Sequence, residues 1–404
     1  MKRILFVDDE PNILQGLQRM LRHMHKEWEM TFAASGQEAL DLMATKPFDV
    51  IVSDMRMPGM DGATLLTEVM NRHPQTVRFV LSGQSDEETI FRSIGPTQQF
   101  MAKPCDPEVL KATVDRAFAL RDQLNSEDIK RLVSQMPVLP PLPESYKRLM
   151  DELRSPDCSI GAVGRIIGSD VGMTAKILQW VNSAFFGVRQ HVSNPTQAIS
   201  FLGLDTIRAL VLMLGAFSHV AEAKLPAGFS FDGFCQHSIA VGAYAQAICK
   251  SEGLGDKDLS DTFTGAILHD SGMLILAINR LTQYREVLSR TLRDPVALTD
   301  AELEAFGCTH AEVGAYLLGL WGLPDPVVEA VAFHHRPSEC PAQHFSPLTA
   351  VHVADYLEHE TRDESKGRKR PQLDFDYLKR LGLENRLSTW REVCLRISED
   401  RETE

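Results

Sequence analysis

Ile4-Leu5-Phe6-Val7-Asp8-Asp9, followed by Ile13, Leu14, Leu17, Met20, Leu21 and Met24, decides the fold of the first part of the chain. Four consecutive apolar residues stopped by two acids fit a strand buried on both faces. The apolar residues after them share one face at 3.6-residue spacing, which predicts an amphipathic helix. The unit recurs. Met30-Thr31-Phe32-Ala33, Asp49-Val50-Ile51-Val52, Arg78-Phe79-Val80-Leu81 and Gln99-Phe100-Met101-Ala102 are further strand candidates, separated by helical stretches. Alternation in units of about 20–30 residues predicts an α/β fold with a doubly wound, parallel five-stranded sheet. In that architecture ligands bind outside the carboxyl ends of the strands.

The pattern changes at a proline cluster, Pro137, Pro140, Pro141 and Pro143, which cannot continue a helix. Beyond it long helical stretches take over, broken at Gly203 and at Gly253-Leu254-Gly255. Asp325-Pro326 and Ser346-Pro347 read as an N-cap followed by proline at the first helical position. Thr309 and Glu312 form a capping-box pattern that places His310 in a first turn. The second region is therefore expected to be all-α. Between the two, Leu110, Val114, Ala117, Arg121 and Leu124 extend a helical periodicity toward the linker, with Asn125 to Asp128 either a break or an exposed turn. The expected division is residues 1–122, a linker over 123–136, a helical domain over 137–340 and a C-terminal helical extension over 341–404.

With 404 residues, 44% hydrophobic and 24% charged, the chain has the material for two large cores, which excludes an intrinsically disordered protein. Its formal net charge of −13 repels phosphate backbones and anionic lipid, so neither nucleic acid nor a membrane is expected as partner. Lys366 to Arg370 is basic, but Glu360, Asp363 and Glu364 precede it, which fits a solvated loop. The apolar run at Ile4 is too short for a signal-peptide core, and the seven cysteines form no C-x-x-C pair. A cytoplasmic protein with reduced thiols is expected.

Strand-end placement would gather Asp8, Asp9, Asp54, Ser82 and Lys103 on one edge of the sheet. Three carboxylates there suit a hard cation, Mg2+. A carboxylate can also attack phosphorus, while a metal, a lysine and a hydroxyl stabilise charge on the transferred oxygens. One such residue would be an ordinary solvated polar group; five at matching strand ends point to a site. Val7-Asp8-Asp9-Glu10, Asp54 to Gly62, Leu81-Ser82-Gly83 and Lys103-Pro104 resemble the receiver domain of two-component response regulators. The resemblance implies a flavodoxin-like fold in which Asp54 accepts phosphate from a histidine kinase or phosphotransfer protein. Asp9, Asp54 and the backbone carbonyl of Arg56 would hold Mg2+, with Asp8 reaching it through water. Ser82 and Lys103 would bind the phosphoryl group, and Phe100 falls at the aromatic switch position.

In the helical region His269-Asp270 and His334-His335 each end an apolar helical run, and His237, His310 and Asp355 lie on separate predicted helices. Imidazoles and carboxylates converging from several helices can hold transition-metal ions without cysteine. Taken singly, each is also an ordinary helix-end or core residue. Leu139-Pro140-Pro141-Leu142-Pro143, Ile166 to Asp170, Leu178 to Ala184, Pro195 to Leu204, Trp321-Gly322-Leu323-Pro324 and His334-His335 resemble the HDOD family, related to the HD phosphohydrolases. That resemblance implies an HD-like helical domain whose output acts through contacts with a downstream protein. The alternative is a metal-dependent phosphohydrolase related to the HD-GYP enzymes that hydrolyse cyclic di-GMP. His237, His269, Asp270, His310, His334, His335 and Asp355 follow the ligand order of those enzymes. Three features depart from them: the family's lysine after the HD glycine position is absent, with Met273 following His269-Asp270-Ser271-Gly272, Arg336-Pro337-Ser338 replaces the G-Y-P motif, and Gly233 stands where a glutamate precedes His237 in trinuclear members. The expectation is a response regulator with a receiver and an HDOD output; catalysis and homodimerisation are left open.

Overall fold

A computed structural model describes residues 1–82, 99–103, 105–123, 129–130, 133, 144–155, 157–168, 195–204, 206–207, 211, 225–320, 324–341, 344–361 and 371–402. The sequence motifs at residues 137–143, 169–187, 321–323 and 366–370, the stretch 124–128, and the side chains of Ser82 and Phe100 lie outside the described residues. Packing divides the chain into two compact units, Met1–Pro141 with Tyr316–Leu323 and Leu142–Ala315 with Pro324–Glu404. No helix among the described residues is long and apolar enough to cross a membrane.

The first unit holds a parallel sheet of β1 (Lys2–Val7), β2 (Trp28–Ala33), β3 (Val50–Asp54), β4 (Val77–Ser82) and β5 (Gln99–Ala102), in the order β2-β1-β3-β4-β5. Helices α1 (Pro11–Met20), α2 (Gly36–Thr45), α3 (Gly62–Arg72) and α4 (Pro107–Gln123) connect or follow the strands. Ile4 to Val7 and all of β3 are buried, as strands covered on both faces require. Leu5, Ile51 and Val80 pack with Leu40, Leu65 and Val69 from α2 and α3 in one core. Ser35 caps α2 by accepting from the Glu38 N–H, and Asp61 caps α3 by accepting from the Thr64 N–H. Leu110, Val114 and Ala117 form the buried stripe of α4, as their spacing predicts. The chain reverses winding between β1 and β3, and the crevice at that switch point lies where Asp8, Asp9 and Asp54 end their strands.

No strand occurs among the described residues of the second unit. Its helices are α5 (Glu144–Arg154), α6 (Ile160–Gly168), α7 (Pro195–Leu202), α8 (Phe231–Ser251), α9 (Asp256–Leu268), α10 (Ser271–Asn279), α11 (Leu281–Arg293), α12 (Leu298–Phe306), α13 (His310–Leu320, counted in this unit as far as Ala315), α14 (Asp325–Phe333), α15 (Pro347–Thr361), α16 (Phe375–Arg380) and α17 (Leu387–Glu402). The core gathers Val241, Tyr244 and Ile248 of α8, Ala266 of α9, Ala330 of α14 and Val351, Ala354 and Leu357 of α15. Helix α15 is buried around nearly its whole circumference, so its polar residues must find partners inside.

The helix starts follow their sequence signals with one shift. Thr309 N–H donates to Glu312 Oε2 at 2.8 Å, the backward arm of the capping box that starts α13. At α14 the cap is Pro324 rather than Asp325, because the Pro324 carbonyl accepts the first helical N–H groups, from Val327 and Val328. Pro326 thus sits at the second helical position, where its missing N–H still costs nothing.

The starts of α10 and α13 touch backbone to backbone. A Cβ added at Gly272 would lie 1.9 Å from the His310 carbonyl oxygen and 2.9 Å from the Gly314 nitrogen. Only glycine permits this approach, which holds Asp270 beside His310. Gly272→Ala should therefore destabilise the helical unit by about 1–3 kcal/mol, read as a lower urea midpoint for that unit's unfolding transition in the full chain.

Candidate functional site

At the sheet edge Lys103 Nζ lies 2.8 Å from Asp8 Oδ2 and 2.5 Å from Asp54 Oδ1. Asp8, Asp9 and Asp54 present carboxylate oxygens close enough to share an ion. The Glu10 N–H donates to Asp8 Oδ1 and the Arg56 N–H donates to Asp54 Oδ2, fixing both carboxylates. Burial raises the Asp54 carboxyl; Lys103 opposes the rise and the charge on Asp8 adds to it. Burial pulls Lys103 down, yet the two carboxylates outweigh it and hold the ammonium above its usual value. Four of the five expected residues, Asp8, Asp9, Asp54 and Lys103, are thus brought together.

The second unit brings together every residue its sequence pattern singled out. Asp270 Oδ1 lies 3.2 Å from His310 Nε2 and 3.6 Å from His334 Nε2, and His335 Nε2 is 3.1 Å from His310 Nε2. On the other side Asp270 Oδ2 lies 3.6 Å from His237 Nε2 and 3.4 Å from His269 Nε2. Those two nitrogens are 3.2 Å apart, and 3.3 and 3.8 Å from Asp355 Oδ1. Asp270 therefore faces two donor groups, Asp270-His310-His334-His335 and His237-His269-Asp355. Atoms each about 2.0–2.1 Å from a common ion stand roughly 3.3–3.4 Å apart in tetrahedral geometry, close to the spacings here.

Hydrogen bonding decides which nitrogen each ring offers. His269 Nδ1–H donates to the Ala266 carbonyl at 2.6 Å and His334 Nδ1–H to the Val331 carbonyl at 2.8 Å. His237 Nδ1–H donates to Glu358 at 2.7 Å and His310 Nδ1–H to Glu302 at 2.6 Å. All four rings consequently turn Nε2 into the cluster, the arrangement that outer partners of metal-bound histidines impose. Among the described residues His334 Nε2, which is buried, has no hydrogen-bond partner. Two lone pairs facing each other at 3.2 Å, on His237 and His269, require positive charge between them, either a proton or a metal ion.

The charges agree. Burial raises Asp270 and Asp355, but the surrounding imidazoles outweigh it and hold both carboxyls well below the usual range. Burial lowers His310, yet Glu302 and Asp270 push it up to about 10. His269, dominated by burial, falls to about 4. The donor set thus combines anionic oxygens with neutral and protonated imidazoles, chemistry suited to divalent transition metals.

Three partners escaped the sequence pattern. Glu358 stands three residues after Asp355 on α15, a spacing that could have flagged it. It places a carboxylate against His237, where Gly233 supplies none. Glu302, fully buried on α12, accepts from the His310 N–H and from the Tyr284 hydroxyl as well as from the His310 ring, and no local signal marks it. His359 Nε2 lies 3.5 Å from Asp355 Oδ1 and is partly exposed. Glu302→Gln removes the carboxylate that orients His310, so Mn2+ affinity should fall by about 10–100-fold, measured by competition with a chromophoric chelator. Because His310 carries a proton that an ion must displace, wild-type affinity should also rise with pH across the neutral range.

Residues 4–115 match the response regulator receiver domain family, and residues 139–337 match the HDOD domain family. An uncharacterized protein of Treponema pallidum is 24% identical over 289 residues, 68% of this chain and 52% of that protein. The hydrogenase transcriptional regulatory protein HoxA of Cupriavidus necator is 35% identical over 141 residues, 34% of this chain and 28% of its own length. The chain spans about half or less of these curated relatives. An HDOD domain protein of unknown function from Geobacter sulfurreducens, 20% identical, superposes with a TM-score of 0.52 over 72% of this chain and 97% of that structure, a likeness of fold. Sheet order, helical architecture and both family matches agree: the chain joins an N-terminal response regulator receiver domain to a C-terminal HDOD domain.

Proposed function

We propose that the HDOD domain is a metal-dependent phosphohydrolase and that phosphorylation of Asp54 in the receiver controls it. The observation that carries this is the inward turn of four buried Nε2 atoms around Asp270, with His334 Nε2 left unpartnered. An output domain acting solely through protein contacts has no need of such a set, and burying it without a function is costly. His310, His334 and His335 would hold one ion and His237, His269 and Asp355 another, with Asp270 turned toward both. When bound, divalent ions supply Lewis acidity toward phosphoryl oxygens and acidify water.

The chain's own residues orient and admit. Glu302 and Glu358 hold His310 and His237 in register. The His335 and His359 side chains, 21% and 37% exposed, mark the side from which an anionic phosphate ester would approach. Arg336 is already paired with Glu312 and Glu339, so the residue at the G-Y-P position is not preset to bind phosphate. The substrate class is therefore a phosphate ester, with cyclic di-GMP one candidate among phosphodiesters.

In the receiver, an Asp54 oxygen would attack phosphorus, breaking the phosphorus–nitrogen bond of a phosphohistidine on a histidine kinase or phosphotransfer protein. Asp8, Asp9, Asp54 and the Arg56 carbonyl would hold Mg2+, and Lys103, already against Asp54, would neutralise the added charge. The new charge then biases a two-state receiver surface.

The test is metal analysis of the purified full chain followed by turnover of cyclic di-GMP and generic phosphodiesters, with and without a small-molecule phosphoryl donor. Wild type should carry ions and hydrolyse at least one ester, and His269→Ala should lose both. Asp54→Ala should keep basal turnover and lose the response to the donor. Metal without turnover would reduce the centre to a structural site and return the output to protein contacts; neither would remove the metal-dependent assignment.

A further inference from the structure

His352 lies on α15 one turn before Asp355 and is buried. Its ring is committed at both nitrogens. Nδ1 lies 2.6 Å from the His334 carbonyl oxygen, which can only accept, so Nδ1 carries the proton. Nε2 lies 2.9 Å from the Asp374 backbone N–H, which can only donate, so Nε2 accepts. The imidazole is thus neutral and has no lone pair left for an ion.

The His334 carbonyl belongs to the C-cap of α14, among the helix-end acceptors that lack an intrahelical partner. It sits in the turn that carries His334 and His335. One face of that turn is set from within, by His334 Nδ1–H to the Val331 carbonyl. His352 sets it from outside. On its other side the ring holds Asp374, whose side chain caps α16 by accepting from the Tyr377 N–H at 2.8 Å. The Tyr377 hydroxyl lies 2.7 Å from that of Thr349 on α15, one turn before His352, and closes the loop. All of these links but His334 and Val331 lie beyond residue 337, where the HDOD match ends.

We propose that His352 is a positioning residue, coupling the C-terminal segment to the His334–His335 turn and setting how tightly the centre holds its ion. The proposal rests on the metal-dependent assignment above. Hydrogen-bond length matters here because a ligand-bearing turn displaced by a fraction of an ångström weakens every bond to a shared ion.

Two isosteres separate the ring's two bonds. His352→Asn places an amide N–H near the Nδ1 position and keeps the donor to His334, while losing Asp374. His352→Gln places its amide near the Nε2 position, keeping an acceptor for Asp374 and leaving the His334 carbonyl unpaired. Mn2+ dissociation constants of the full chain, with the thermal midpoint of each metal-free variant, give the readout. The Gln variant should bind Mn2+ about 10–100-fold more weakly than wild type, and Asn should keep most of the affinity. Equal loss in both variants would mean a general packing defect and would overturn the proposal, as would wild-type affinity in the Gln variant. Wild type that fails to bind Mn2+ at all would overturn the metal assignment, and the positioning role with it.

Discussion

Asp270 is an ionised carboxylate with almost no access to water, and the helical domain is organised around that fact. Withdrawing such a charge from solvent costs several kcal/mol even after relaxation, unless partners of opposite polarity surround it. Here they are His310, 3.2 Å from one oxygen, and His237, 3.6 Å from the other; His269 and His334, whose Nδ1 atoms carry the proton, turn Nε2 toward the same carboxylate. The close crossing at Gly272, the burial of α15 and the placement of Glu302 all keep these rings at contact distance. Asp355 repeats the problem on a smaller scale, answered by His237 from one side and His359 from its own helix.

Helix ends do much of this work. His269 and His334 both occupy C-cap positions, and each ring folds back to donate to a carbonyl three residues earlier. One bond thereby satisfies an orphan acceptor at the helix terminus and selects the tautomer that faces the cluster. The following residue in each case, Asp270 or His335, then points to the same centre without any extra turn of chain. A two-residue motif at a helix end is a compact way to present two ligand atoms.

Because the clustered side chains sit in such local motifs, they were legible in the sequence. His269-Asp270 and His334-His335 announce themselves by ending apolar runs, just as Asp8-Asp9 and Asp54 announce themselves by ending strands. The parallel, doubly wound sheet follows from the same alternation. What was not legible depends on long-range packing. Glu302 meets His310 only because α12 lies against the start of α13, and His352 meets His334 only because α15 crosses the end of α14; nothing in either neighbourhood encodes the encounter. The cap of α14 lies one residue before the position its composition indicates, since Asp325-Pro326 carries the usual pattern while Pro324 supplies the carbonyl. The family resemblance implies an output through protein contacts, whereas the inward turn of the rings, which no local pattern encodes, supports the proposed chemistry.

The candidate ligand atoms are contributed by residues spread from His237 to Asp355, more than a hundred positions along the chain. No short segment carries a usable set, so an ion has little to bind until non-local helix contacts have formed. With such topology an ion held there would arrive late in folding, not as a template for it. By mass action it would then act solely on the finished state, adding stability that grows with the logarithm of its free concentration. The domain's resistance to unfolding would thereby report on the supply of metal around it.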